Sequence, residues 1–291
     1  MQFFLTKRGI AAVFIVAAVL TITVFIIQRA TPEPEIPVVD TDPKITVIGH
    51  SVQNREIESF TFGNGETNLL FVGGIHGGYE WNSVLLAYEF LDHLNLNQES
   101  IPDNLTVSVI PSLNPDGVYK IIGKEGRFVL ADVSKNIAIE PGRFNAHNVD
   151  LNRNFDCNWQ SESMWRGNKV SAGTAVFSEP EARAFRDYVL EVKPDAVVFW
   201  HSQAGAVYTS ACNNGVLKET ETIANAYAKA SGYISAGLFD AYKVTGDAEG
   251  WLAKINIPSI TVELTTHETI EWEKNLAGTK ALFEYYRTKA L

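Results

Sequence analysis

The sequence has little cysteine, no block of positive charge and no internal repeat. Its two cysteines, Cys157 and Cys212, are too few for a disulfide scaffold and lack the paired spacing of a metal knuckle. Whether they form one bridge outside the cytoplasm or stay as two buried thiols is left open by the sequence. Lysine and arginine number 24 against 34 acidic residues, for a net charge of −10, and no basic stripe occurs. That excludes nucleic acid as a partner, because neutralising phosphates requires clustered cations. With 46% hydrophobic and 20% charged residues, the chain is neither disordered nor fibrous and suits one large or two small globular domains.

Only one apolar run is long. Lys7 and Arg8 precede GIAAVFIVAAVLTITVFII, Gly9 to Ile27, which contains no charge. As a helix it spans roughly 28 Å, close to the hydrocarbon thickness of a bilayer. Its length and the poor cleavage site in IIQRATPEP point to an uncleaved anchor rather than a removed signal peptide. Residues 1–30 are therefore expected to attach the protein to a membrane, with the amino terminus inside and the body outside. Thr31 to Pro43 carries four prolines among several acids, as an extended tether would. No stretch before Pro43 is long enough for a folded inhibitory segment, so a zymogen of that kind is not expected.

The body, 44–291, alternates short β-type runs with helical patterns. ITVIGHS, NLLFVGGI, LTVSVIPSL, DAVVFWHS and PSITVEL read as strands, most of them buried. NSVLLAYEFLDHL, SEPEARAFRDYVLEV, ETETIANAYAKA and the C-terminal NLAGTKALFEYYRTKA read as helices. NPDG reads as a turn ending the strand before it. Interleaved buried strands and helices predict an α/β fold, a three-layer sandwich around a mixed, mostly parallel twisted sheet with its site at the strand ends.

Polar residues stand where those apolar strands stop. His76 comes after NLLFVGGI, His201 ends DAVVFWHS, and Glu263 lies near the end of PSITVEL. Two imidazoles and a carboxylate such as Glu80 would hold zinc with a position left for water. A further carboxylate, off the metal, would take a proton from that water.

On these residues the chain resembles the zinc carboxypeptidases of the carboxypeptidase A and B type. HGGYEW is similar to the family's His-x-x-Glu pair, WHSQ to its third ligand, NVDLNRNF to its Asp-x-Asn-Arg-Asn segment, YKVTGDAEGW to its tyrosine loop and TVEL to its catalytic glutamate. The resemblance implies one zinc ion on His76, Glu80 and His201, with Asp150 fixing the tautomer of His76. It implies Glu263 as proton acceptor, and Asn152, Arg153 and Tyr242 as the grip on a peptide's free C-terminal carboxylate. Arg143 is the candidate oxyanion stabiliser, with Arg127 as the alternative. Asp247 and Glu249 fall in the loop that lines the family's side-chain pocket, which implies a basic or diamino-acid C-terminal residue.

One departure stands out. Glu80 lies four residues after His76, where the family has three. Gly77 and Gly78 can absorb the extra residue as a bulge; otherwise Glu80 only caps the next helix. Two other functions stay in view: an amidase or deacylase acting on murein peptides through the same zinc site, and a membrane-tethered binding module that has lost catalysis.

Overall fold

The computed structural model describes residues 42–289. Among them no helix is long and apolar enough to cross a membrane; the expected anchor and most of the tether lie outside the described residues. The elements that position the site are strands β1 (Lys44–His50), β2 (Glu56–Gly63), β3 (Thr67–Val72) and β4 (Leu105–Ile110), then β7 (Ala196–Ser202), β8 (Ala206–Thr209), β11 (Ile234–Leu238) and β12 (Ser259–Leu264). They form one eight-stranded sheet in the order β1-β2-β4-β3-β7-β12-β8-β11. Its centre, β4-β3-β7-β12, is parallel; β1, β2 and β8 join antiparallel, and β11 runs parallel to β8.

Alternation along the central strands splits the core in two. Leu69 and Phe71 of β3, with Val198 and Trp200 of β7, pack beneath helices α1 (Trp81–Leu96), α4 (Lys218–Ser231) and α6 (Trp272–Lys289). Leu70 and Val72, with Val197 and Phe199, face α3 (Pro180–Val192) and α5 (Ala248–Lys254). A period of two that is apolar on both faces is what a sheet covered by helices on each side requires. The three-layer expectation is met.

Two local readings needed correction. NPDG starts a helix instead of making a turn: α2 (Pro115–Ile122) begins there, with Asn114 Oδ1 accepting from Gly117 N at 2.9 Å and Pro115 in the first turn. An Asn-Pro pair suits a helix cap as well as a turn, and only the residues after it decide. The sequence reading also passed over the hairpin of β5 (Glu162–Trp165) and β6 (Asn168–Ser171). Strands of four residues show too few alternations to be seen as periodic.

Cys157 and Cys212 form a disulfide across 55 residues of sequence. It ties the loop after Arg153 to the short strand β9 (Ala211–Cys212) beyond β8, which pairs with β10 (Gly215–Val216).

Candidate active site

The parallel centre of the sheet places His76, His201 and Glu263 at one edge, just past or within the C-terminal ends of β3, β7 and β12. Glu263 and His201 are register partners on neighbouring strands, so their side chains point to the same face. An α/β sheet gathers its site there because the chain must leave each strand for a loop at that edge.

The opening turn resolves the spacing of HGGYE. Gly77–Glu80 is one 3-10 turn, and α1 begins only at Trp81. Gly77 has φ +48°, and a Cβ there would stand 2.5 Å from the carbonyl oxygen of Gly142. The left-handed residue takes up the extra length and lets the segment before Arg143 pack against the turn. Ser83 Oγ ties the turn's ends together, donating to Glu80 O at 2.7 Å and accepting from Gly74 N at 3.1 Å. Glu80 stands at the N-cap of α1, yet its carboxylate makes no cap hydrogen bond. It turns instead to His76, with Oε1 2.7 Å from Nδ1. Gly77→Ala is expected to lower the melting temperature by several degrees and to weaken zinc binding in parallel. Scanning calorimetry with a chelator titration checks it, and wild-type values in both would show the turn is not built this way.

His201 completes the cluster. Its Nδ1 lies 3.2 Å from His76 Nδ1 and 3.0 Å from Glu80 Oε2. All three residues are buried, and their ligand atoms fall within 4.8 Å of one another. Four donors arranged tetrahedrally about zinc stand roughly 3.3 Å apart, close to the spacings here. The donor types also match: two neutral imidazoles and one carboxylate hold a borderline-soft divalent ion. Burial alone would push the Glu80 carboxyl up, but the two histidines beside it pull it below the usual carboxylate range. For His201, burial acts downward, yet Glu80 and Glu249 raise it well above the ordinary imidazole value. The residues fit the ion.

Around this cluster lies a cavity of about 690 Å³, lined by every residue expected to bind metal or substrate and by Glu263 and Arg143. Glu263 Oε2 is buried without a hydrogen-bond partner. Burial, then the charge of Glu80, push its carboxyl up to about 8. Arg143 is held by Asp150, whose Oδ2 accepts from Nε at 2.9 Å, and its Nη1 is 3.9 Å from Glu80 Oε1. Arg127 pairs with Asp92 at the surface. Of the two arginines, Arg143 is the one in the site.

Asp150 stands beside His76 but makes no hydrogen bond to it. Its Oδ1 is 3.6 Å from His76 Nε2, beyond hydrogen-bond distance. Arg143 and the Asn152 amide hold the carboxylate instead. It stays ionised: burial pushes it up, and Arg143 and Arg153 more than reverse this.

Asn152 and Arg153 sit in the 3-10 turn Leu151–Arg153. Asn152 Oδ1 accepts from Ala248 N at 2.8 Å, which ties the turn to the start of α5. Arg153 donates to two backbone carbonyls, Asn152 O at 2.6 Å and Met164 O at 3.2 Å, while its buried Nε has no partner. Tyr242 packs its ring 4.9 Å from Phe239 at the cavity wall.

The two acids expected to choose the departing side chain are engaged elsewhere. Asp247 caps α5, its Oδ2 accepting from Gly250 N at 2.7 Å. Burial and the nearby Glu249 push its carboxyl up to about 6. Glu249 Oε1 lies 3.0 Å from His201 Nε2 and accepts from Thr261 Oγ1 at 3.2 Å. That contact places Glu249 to orient the His201 ring, as outer partners of metal sites do. Tyr79, Trp165 and Arg166 also line the cavity, although the sequence reading passed over them. The aromatic-arginine-glycine run MWRGN was the available signal.

A family model described as Zinc carboxypeptidase matches residues 39–282. The gamma-D-glutamyl-L-diamino acid endopeptidase 1 of Lysinibacillus sphaericus is 26% identical over 242 residues, 75% of this chain and 60% of that protein. The human carboxypeptidase N catalytic chain is 30% identical over 125 residues, 38% of this chain and 26% of that protein. The chain thus spans at most 60% of the length of these relatives. Murein-tripeptide amidase MpaA from Escherichia coli O157 superposes with a TM-score of 0.58 at 21% identity, over 88% of this chain and 96% of that one. Bovine thrombin-activatable fibrinolysis inhibitor does so with a TM-score of 0.65 at 19% identity, over 86% and 92%. At such identities the structural likeness is one of fold. The family match is of another order, because it runs through every residue of the site just described: the chain belongs to the zinc carboxypeptidase family of metallopeptidases.

Proposed function

We propose that the protein removes the C-terminal residue from peptides that end in a free carboxylate, and that its substrates are cell-wall-type peptides ending in a diamino acid. The observation that carries the first half is Arg153. Its buried guanidinium has backbone carbonyls for partners and an unpaired Nε, in the same cavity as Glu263 and the metal ligands. A buried cation without a carboxylate among these contacts suits an anionic ligand. Supporting the second half are the relatives whose names carry a diamino acid or a murein tripeptide, the first of them matched over 75% of this chain. Asp240, Asp247 and Glu249 add negative charge to the cavity wall, even with two of them engaged.

Zinc, when bound, supplies Lewis-acid polarisation of the scissile carbonyl and activation of water. The chain does the rest. Arg153, Asn152 and Tyr242 hold the terminal carboxylate and so set the scissile bond against Glu263. Glu263 takes a proton from the attacking water and returns it to the leaving nitrogen. Arg143 donates to the oxygen that gains charge.

A peptide with a free terminus should be cleaved about 10–100-fold faster than its amide, and Arg153→Gln should erase most of that difference. Charged hydrogen bonds of this kind contribute about 1.5–3 kcal/mol. Peptides ending in a diamino acid, lysine or leucine then rank the side chains. Equal cleavage of the amide, or a preference for leucine, would overturn the proposal.

The Cys157–Cys212 disulfide supports placing the body in an oxidising compartment, outside the cytoplasm, with Gly9 to Ile27 as anchor.

A further inference from the structure

The cavity holds a cation that none of these steps uses. Arg166 lines it from the turn joining β5 to β6. Its backbone is left-handed, with φ +48°, a conformation that side-chain-bearing residues rarely adopt. Arg166 Nη1 donates to Tyr79 OH at 3.3 Å, a neutral phenol rather than a carboxylate. Trp165 beside it meets the Tyr79 ring edge-on at 5.1 Å, and the Arg143 guanidinium lies 4.6 Å from the Trp165 ring. Tyr79 itself belongs to the metal turn, one residue before Glu80. The wall is therefore joined both to a metal ligand and to the oxyanion-stabilising arginine.

Its place along the substrate is set by these contacts. Asn152, Arg153 and Tyr242 take the terminal carboxylate, next to the start of α5. Arg143 is bonded to Asp150 and covered by Trp165, and Arg153 reaches the same hairpin by donating to Met164 O. A substrate running from Arg153 past Arg143 carries its acyl part to Tyr79, Trp165 and Arg166. The cavity also carries Glu80, Asp240, Asp247, Glu249 and Glu263, so its attraction for a second carboxylate is local to Arg166, whose hydrogen bond goes to the Tyr79 phenol.

We propose that Tyr79, Trp165 and Arg166 form an acyl-side subsite that binds a free carboxylate on the residue donating the scissile carbonyl. A γ-linked glutamyl residue meets this requirement, because its α-carboxylate stays free beside the amide to be cut. An α-linked residue has spent that group in the peptide bond and offers a carboxylate only where its side chain is acidic. The subsite deepens the reading above and rests on it for the direction in which substrate lies.

Binding, measured by calorimetry in the zinc-loaded Glu263→Gln protein, tests the subsite without turnover. The probes are γ-D-glutamyl-L-lysine and the same dipeptide with its α-carboxylate converted to carboxamide. The carboxylate form should bind about 10–100-fold more tightly. Adding Arg166→Gln should remove that difference and leave the carboxamide affinity within about twofold, while Arg166→Lys should restore part of it. Equal weakening of both probes, a preference that survives without Arg166, or failure of both to bind would each overturn the subsite. Hydrolysis of the two probes by the unmodified enzyme is scored separately. If neither is cut but the Arg166-dependent preference holds, the proposed reaction falls and the subsite stands.

Discussion

Glu263→Gln should lower kcat by about 10²–10⁴-fold while the protein still binds one zinc ion and folds as before. That range is what a positioned proton acceptor contributes. The side chain is not a ligand, so its loss leaves His76, Glu80 and His201 in place, and the change in shape is small. The pH profile gives a sharper check. Burial and the negative charge of Glu80 push the Glu263 carboxyl up to about 8. A proton acceptor works only when ionised, so the rate must fall as pH drops through its pKa. A cation held by Glu80 cancels the second cause, and the acid limb of kcat/KM should accordingly lie below pH 8 in the zinc-loaded enzyme. Glu263→Gln should lack that limb. If the limb persists unchanged in the variant, another group is the base.

His201→Ala should remove zinc and activity together. Losing an outer partner of a metal ligand costs about 10–100-fold in affinity, and losing the ligand itself should cost more. The same ring makes zinc affinity depend on pH. Although burial disfavours a charged imidazole, Glu80 and Glu249 hold the His201 proton well above the ordinary value. Nδ1 must lose any proton before it can bind the ion. Zinc affinity should therefore weaken as pH falls, by about tenfold per unit for each proton displaced. Competition against a chelator at several pH values measures the slope, and a flat line between about pH 5 and 7 would contradict the assignment of His201 as ligand. Zinc should also raise the melting temperature of the wild-type protein but not of this variant, since an ion that binds only the folded state stabilises it by mass action.

Much of the site was visible because burial leaves a mark in sequence. An apolar run such as NLLFVGGI or DAVVFWHS ends where the strand leaves the core, and a histidine at that point is conspicuous. The pairing of His201 with Glu263 across two strands then needs only the parallel sheet that alternating strands and helices imply. Glu80 was harder. Helical spacing alone allowed either a ligand or a cap, and the choice depended on the left-handed turn at Gly77, which rests on the close approach of Gly142 from a distant part of the chain. Asp247 and Glu249 illustrate the limit most plainly. Two acids in one loop look alike in a sequence, yet one caps a helix and the other meets His201 because β7, from a separate part of the chain, passes beside it.

The order of buried runs, their length and the polar residues at their ends belong to the sequence alone, since each depends on whether a stretch can leave water. With them came the layered fold, the metal-ligand types and Glu263 as the expected proton acceptor. Tertiary structure alone decided which arginine faces the reacting centre, where the two loop acids turn, and that Arg166 enters the cavity. Those outcomes depend on contacts between side chains dozens of residues apart, and the free energy of a buried charge is set by the neighbours that surround it.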